Sequence, residues 1–478
     1  MVENKIGRSN GLGTYSSIRA LGVLLFLAGC GGHTFVTPVA DSRPSCVVRN
    51  VRVFDAAKAA LLDGPRDVVV RDGRIAAIAA PGVPKSGLIE IEGQGGTLLP
   101  GFVDVHTHTG GTAAPPWVTE LPAQEENLGA FLYAGVTTVL DAGALTPAIF
   151  RLRDRVRSGS VLSPQLYAAG PMFTAPNGHP VGLMRGNLPS WIGWYVLPRI
   201  ARELATPEEA RQAVADLLPE HPDVIKVAVD DLVPGEPRIA TEVIAAIVAR
   251  AHEGHVRVAA HVGQSRDAID AVSAGVDVLM HDVYSEVISD EAVAKIAAAQ
   301  VPVVATVGIW DAVEELGDLQ VEKRSAITRE IAKPSLVKAL AAFPSGEMRQ
   351  RFTSMRKAVR DGHAARRTNV AKLRAAGVTI LVGSDAVNAG QFPGAGFHDE
   401  LARLVESGMS PAEVLRAATH DNARFLGGPH AEFGDIVEGQ RADLILVDGD
   451  PTTDIAAAQR IKHLWLGGVE LLRHPRLP

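Results

Sequence analysis

Residues 98–109 read LLPGFVDVHTHT, a greasy run that closes on two histidines one residue apart, His106 and His108. In an extended strand alternate side chains share a face, so Asp104, His106 and His108 point the same way. Two neutral imidazoles converging at one point suit a divalent metal, zinc first among them. Taken alone, the pair reads equally well as incidental, and the rest of the chain has to decide.

Runs of the same kind recur at intervals. They are GVTTVLDAG (135–143), PQLYAAGPMF (164–173), DVIKVAVD (223–230), RVAAHVG (257–263), VDVLMHD (276–282), VPVVATVG (301–308) and VTILVGSDA (378–386). Each has the length of a buried strand, and Ala-rich helical windows such as EVIAAIVARAHE separate them. Strand–helix alternation over roughly 300 residues predicts a (β/α)8 TIM barrel, with an open doubly wound sheet as the alternative. Two connections are long, 174–205 with Trp191 and Trp194, and 309–360, and both have the length of lids or pocket walls.

In a barrel the carboxyl ends of the strands form the active-site floor. At such ends stand His106 and His108, Lys226 after VI, His261 after VAA, His281 after VLM and Asp385 after ILVGS. Each has a structural explanation when taken singly. A histidine can be a hydrogen-bonded core residue, Asp385 a helix cap and Lys226 a snorkelling lysine. Their shared placement points to one metal-binding mouth.

The chain has 478 residues, 46% hydrophobic and 21% charged, with net charge −7, pI near 6.1 and mean hydropathy +0.12. That is a globular composition, and its mild acidity gives no footing for nucleic acid. Lys5, Arg8 and Arg19 precede the apolar stretch LGVLLFLAG (21–29), which is too short to span a bilayer. It runs into LAGC, ending at Cys30, so residues 1–30 are expected to be a lipoprotein-type signal peptide lipidated at Cys30. An ordinary secretory signal is the alternative, and either exports the protein, the first anchoring it to a membrane. Residues 31–45 are expected to be a flexible stalk. Cys46 is the one remaining cysteine, so no disulfide forms once Cys30 carries lipid. Residues 46–100 and 428–478 alternate apolar and polar side chains, with Asp72-Gly73 as a hairpin turn. Together they are expected to build a small β-sandwich domain beside a barrel at 101–427.

The order His-x-His, Lys, His, His, Asp on successive strands resembles the amidohydrolase superfamily. So do LLPGFVDVHTH, AGVTTVLDAG, AGVDVLMHD, ILVGSDA and GQRADLILVDGDP. Within it the chain looks most like the imidazolonepropionase-like and Xaa-Pro-dipeptidase-like group. The resemblance implies two divalent metals, by default zinc. His106, His108 and Asp385 would hold one, His261 and His281 the other, with carboxylated Lys226 shared. It further implies a hydroxide between the metals as nucleophile, and Asp385 as the group that moves its proton. A buried lysine suits the bridging role, because burial favours the neutral amine that reacts with CO2.

The expected activity is hydrolysis of C–N bonds in small substrates such as dipeptides or N-acyl amino acids. Alternatives are cyclic-amide opening as in imidazolonepropionase, deamination, a lactonase- or phosphotriesterase-like reaction, and a non-enzymatic binding lipoprotein. Gln264 stands where superfamily deaminases carry a glutamate, which disfavours deamination. His179 in NGHPVG matches a loop histidine of the group that polarises the scissile carbonyl. Asp230 and Asp231 depart from the Gly-rich turn of dipeptidase-like relatives, and are expected either to receive a substrate amine, Asp230 first, or to be solvated loop acids. Trp191, Trp194 and Tyr195 are candidates to line a side-chain pocket, or to pack the loop against the barrel. The arginines 349, 351, 356, 360, 366 and 367 read as a basic solvated helix face.

Overall fold

The apolar runs become parallel strands. The computed structural model describes residues 32–40, 42–84, 87–185, 190–232 and 235–476, and Thr34–Pro478 form one compact unit. The expected signal segment, with Cys30, lies outside the described residues. Strands Phe102–Thr107, Val136–Asp141 and Gln165–Ala168 make a three-stranded parallel sheet. A second parallel sheet runs Ala201–Glu203, Met172–Thr174, Val224–Ala228, Arg257–His261, Val278–Met280, Val303–Ala305 and Ile380–Val382. Strands buried on both faces explain why the runs are continuous in Val, Ile and Leu rather than alternating.

The single closed ladder expected of a barrel is not formed, and the strands stand as two parallel sheets. The third run is where the ladder breaks: Gly170 at φ +82 and Pro171, which has no N–H to donate, split it into Gln165–Ala168 and Met172–Thr174. A few hydrogen bonds outside the ladders join the sheets on both sides. Asp223 donates its N–H to Ala168 O at 3.0 Å, Asp385 donates to His106 O at 2.8 Å, and Thr107 bridges Ala386 in parallel. The strand Ala201–Glu203 lies in a segment read from sequence as a connection.

Helices follow the strands. Thr241–Glu253 buries Val243, Ile244, Ile247, Val248 and Ala251 on its inward stripe, each large apolar side chain contributing about 1.5–3 kcal/mol. Pro207–Leu217 opens on a capping box between Thr206 and Glu209, which satisfies amides a helix start leaves free. Among the described residues no helix is long and apolar enough to cross a membrane.

The two ends of the chain meet. Leu444–Val447 pairs antiparallel with Thr97–Pro100, inside a ten-stranded mixed sheet that draws on both terminal segments. Asp72 at φ +50 and Gly73 at φ +79 turn the hairpin from Arg66–Arg71 into Arg74–Ala79. Cys46–Asp55 pairs with Arg66–Arg71 and Ile89–Glu92 through its first half and with Thr97–Pro100 through its second, tying everything into one hydrogen-bonded ladder. The expected stalk is corrected in part: Val36–Pro38 pairs with Val469–Arg473, and Phe35 is buried against Tyr133. Its Gly, Pro and Ser content pointed to a linker, but the apolar Phe35-Val36 pair drives docking.

The solvated arginine face is corrected in part: Arg349 and Arg360 are exposed as expected, but the face does not extend to Arg366. Arg366 is 0% exposed and pairs with Asp311 at 3.3 Å and with Glu314. Arg367 joins Asp311 at 3.2 Å. The side chain of Arg351 lies outside the described set. Arg366→Ala would remove one of the cations around buried Asp311, leaving Arg367 and Arg403, and should cost about 1–3 kcal/mol, read as a lower urea midpoint. A loss below about 1 kcal/mol would show that this network contributes no more than a surface pair.

Candidate metal centre

The strand alternation that aims His106 and His108 to one side holds in the structure, and four further strands bring their ends to the same place. His106, His281 and Asp385 offer ligand atoms that all lie within 4.8 Å of one another, and so do His179, Asp230 and His261. The imidazoles form a chain: ring centroids are 5.5 Å apart for His106–His108, 4.6 Å for His106–His281, 4.0 Å for His261–His281 and 4.8 Å for His179–His261. Lys226 stands among them, 1% exposed, with Nζ 3.3 Å from His106 Nε2 and 3.1 Å from Met280 Sδ.

The hydrogen bonds that orient these side chains define what the centre can hold. His108 Nδ1–H donates to Gly143 O at 3.1 Å, which turns its Nε2 toward Asp385 Oδ1 at 3.2 Å. His281 Nδ1 meets Thr306 Oγ1 at 2.5 Å, while its buried Nε2 has no partner and lies 4.0 Å from Asp385 Oδ2. An imidazole anchored through one nitrogen with the other bare is the usual arrangement around a metal. The His108–Asp385 contact needs a positive charge, supplied by a proton on Nε2 or by a cation between the two atoms, so the donor set can hold a cation.

Electrostatics agree. Burial drives His106, His261 and His281 well below the ordinary imidazole value, which keeps them neutral and able to ligate. His108 is raised: burial opposes the charged form, but the hydrogen bond and charge of Asp385 outweigh it. Burial lowers Lys226 to about 7, with Asp385 and Asp230 pulling the other way.

Several supports had no signal at the level of single residues. Asp104 accepts from Ser384 Oγ at 2.5 Å, Ser384 N at 3.0 Å and His106 N at 3.2 Å, and so clamps the segment carrying Asp385 to the one carrying His106. The alternation that placed Asp104 on the histidine face was the one clue to it. Thr306 and Met280 carry no pattern that marks them in advance.

The lower-ranked candidates separate. His179 and Asp230 both reach His261, with Asp230 Oδ2 at 3.1 Å from its Nε2. Asp231 is instead taken up by Arg266 at 2.8 Å. Gln264 donates to that same Asp231 at 3.3 Å. Trp194 is 81% exposed and Tyr195 50% exposed, the latter under the Arg199 guanidinium at 3.9 Å, so neither packs into the mouth. The side chain of Trp191 lies outside the described set.

Fold and site together define an α/β protein of parallel sheets with a histidine-rich centre suited to divalent metal. Residues 97–471 match the amidohydrolase family, and the chain belongs to it, a family of hydrolases acting on carbon–nitrogen bonds. Ochratoxinase of Aspergillus niger is 28% identical over 399 residues, covering 78% of this chain and 75% of that protein. A solved amidohydrolase superposes with TM-score 0.72 at 26% identity, covering 90% of this chain and 100% of the other. A prolidase solved with N-methylphosphonate-L-proline gives TM-score 0.72 at 25% identity with the same coverage.

Proposed function

We propose that this chain is a divalent-metal-dependent hydrolase that cleaves the amide bond of small substrates of the dipeptide or N-acyl amino acid kind. One observation carries the reading: Nε2 of His108 and the carboxylate of Asp385 face each other at 3.2 Å across the point where His106, Lys226 and His281 also converge. His106, His108, Lys226, His261, His281 and Asp385 would hold two cations, zinc fitting a set dominated by imidazole. When bound, the cations supply Lewis acidity toward water and the amide carbonyl. Asp385 accepts the proton of the attacking water and returns it to the departing nitrogen. Lys226 takes part as its carbamate, an anion in keeping with a mouth that already neutralises its histidines. The names of the relatives, ochratoxinase and prolidase, support an amide as the bond broken.

The reading extends to architecture and location. Counting Gln165–Ala168 and Met172–Thr174 as halves of one run and leaving Ala201–Glu203 outside, we take the two parallel sheets as a (β/α)8 barrel joined at Thr107–Ala386 and Ala168–Asp223, and the ten-stranded sheet as a sandwich folded on itself. The amino-terminal segment would place the enzyme outside the cytoplasm, anchored through lipid on Cys30.

Zinc-loaded protein should be screened against dipeptides, N-acyl amino acids, lactones and phosphotriesters. Release of free amino acid with kcat/KM above about 10⁴ M⁻¹s⁻¹ from an amide is expected. Turnover confined to lactones or phosphotriesters would overturn the amidase reading.

A further inference from the structure

Asp230 has no place in the expected ligand sets, yet it is buried at 2% exposure against one of the expected ligands, His261. We propose that Asp230 is a positioning residue, whose carboxylate holds the His261 ring in the one tautomer and orientation that turns Nδ1 toward a cation. This deepens the two-cation reading above and rests on it. Asp230 is then neither a solvated loop acid nor the receptor for a substrate amine.

The backbone sets the pair. Ala228 lies beside His261 in the parallel ladder, and Val229 donates its N–H to His261 O at 3.0 Å. The fourth run is therefore still in step with the fifth when it reaches Asp230, whose Oδ2 stands 3.1 Å from His261 Nε2. A carboxylate only accepts, so Nε2 carries the hydrogen and the lone pair of the neutral ring falls to Nδ1. His108 and His281 are anchored in the mirror sense, through Nδ1 on Gly143 O at 3.1 Å and on Thr306 Oγ1 at 2.5 Å.

Packing alone cannot make this choice. The His261 ring lies between His179, with centroids 4.8 Å apart, and His281 at 4.0 Å. A half-turn about the Cβ–Cγ bond leaves the outline of an imidazole almost unchanged, so only a hydrogen bond fixes which nitrogen points where. A carboxylate behind a ligating imidazole also raises the basicity of the nitrogen that binds the metal.

Asp230 is itself held in place. The Tyr284 hydroxyl donates to the same Oδ2 at 3.4 Å, and its ring stacks on Trp310 with centroids 3.5 Å apart. Oδ1 has no hydrogen-bond partner, and among the described residues the one ion-pair partner of Asp230 is His261. A buried carboxylate without a full counter-charge is costly, and a cation on the far side of the imidazole offsets that cost. The neighbouring Asp231 is taken up by Arg266 at 2.8 Å and has no such role.

The test reads the ring and the metal as well as turnover. Full-length protein is stripped with chelator and reloaded, and zinc affinity is followed by elemental analysis and chelator competition. Asp230→Ala should weaken one of two equivalents by about 10–100-fold and leave the other unchanged. Asp230→Asn, whose amide oxygen can still accept from Nε2–H but brings no charge, should lose less. Asp231→Asn should leave both equivalents at wild-type affinity. In cobalt-loaded protein each ligating imidazole gives a paramagnetically shifted ring N–H resonance that exchanges with solvent. One of these should exchange at least tenfold faster, or vanish, in Asp230→Ala, while those of His108 and His281 persist. Should Asp230→Ala not fold, Asp230→Asn carries the same two readings. Wild-type affinity for both equivalents, or an unchanged set of resonances, overturns the positioning role and leaves the two-cation reading standing. A rise in KM confined to amine-bearing substrates, with metal affinity unchanged, overturns it in favour of amine binding. Wild type that binds no zinc removes both readings together.

Discussion

Asp385→Asn should lower kcat on the best amide substrate by about 10³-fold while KM and the far-UV circular dichroism spectrum stay near wild type. The substitution removes a base and an anionic ligand atom while leaving the backbone in place. Asp385 sits at φ +54, in the left-handed region where Asn and Asp are the side chains best tolerated, so the backbone need not move. Its N–H still donates to His106 O at 2.8 Å, and Asn388 still reaches its backbone carbonyl at 3.0 Å. What disappears is an anionic oxygen 3.2 Å from His108 Nε2 and 3.7 Å from His106 Nε2. General-base transfer contributes about 10²–10⁴-fold in typical enzymes, and an amide cannot take the place of a carboxylate in it. Because the same oxygens face the cation site, metal content must be measured alongside turnover, with zinc restored by excess. A kcat within tenfold of wild type, with metal bound, would show that the proton moves through another group.

Much of this centre was legible because strand geometry is local. His106 and His108 had to share a face, and Lys226, His261, His281 and Asp385 each ended a run whose composition already marked it as buried. The hairpin at Asp72-Gly73 was readable for the same reason, since the turn demands positive φ at both positions. Features that depend on distant partners were not readable. Arg366 looked like one more solvated arginine because Asp311, which pairs with it, lies 55 residues earlier. His179 and Asp230 each drew notice alone, yet nothing local says that a loop after the third run and the end of the fourth meet at His261. The broken third strand was hidden because PQLYAAGPMF reads as one apolar run until Gly170 takes a conformation that a strand cannot continue. Aromatic content misled at Trp194 and Tyr195, where a long insertion turns its rings outward.

The second large effect concerns Lys226. A free ammonium cannot ligate a cation, and it would repel one, so the side chain must be altered or displaced for the centre to fill. Its surroundings favour alteration. Lys226 is 1% exposed, and the two neighbours of its Nζ, a thioether at 3.1 Å and an imidazole nitrogen at 3.3 Å, are weak or neutral acceptors that do little for an ammonium. Burial therefore brings the amine down to about 7. The neutral amine can add to CO2, forming an N–C bond and releasing one proton, and the product carbamate carries the negative charge that two adjacent cations require. Lys226→Met should accordingly lose several kcal/mol of metal-derived stabilisation, about 10³-fold in kcat/KM at about 1.36 kcal/mol per decade, together with much of its bound zinc. Lys226→Ala leaves room where the side chain stood, and acetate or propionate added at millimolar levels should restore part of both activity and zinc content by supplying the missing carboxylate. Wild-type protein equilibrated with ¹³C-bicarbonate should show a carbamate carbon resonance that Lys226→Met lacks. Full activity in Lys226→Met, or absence of the resonance in protein that holds two zinc ions, would mean that the lysine stays an amine and that a different anion joins the cations.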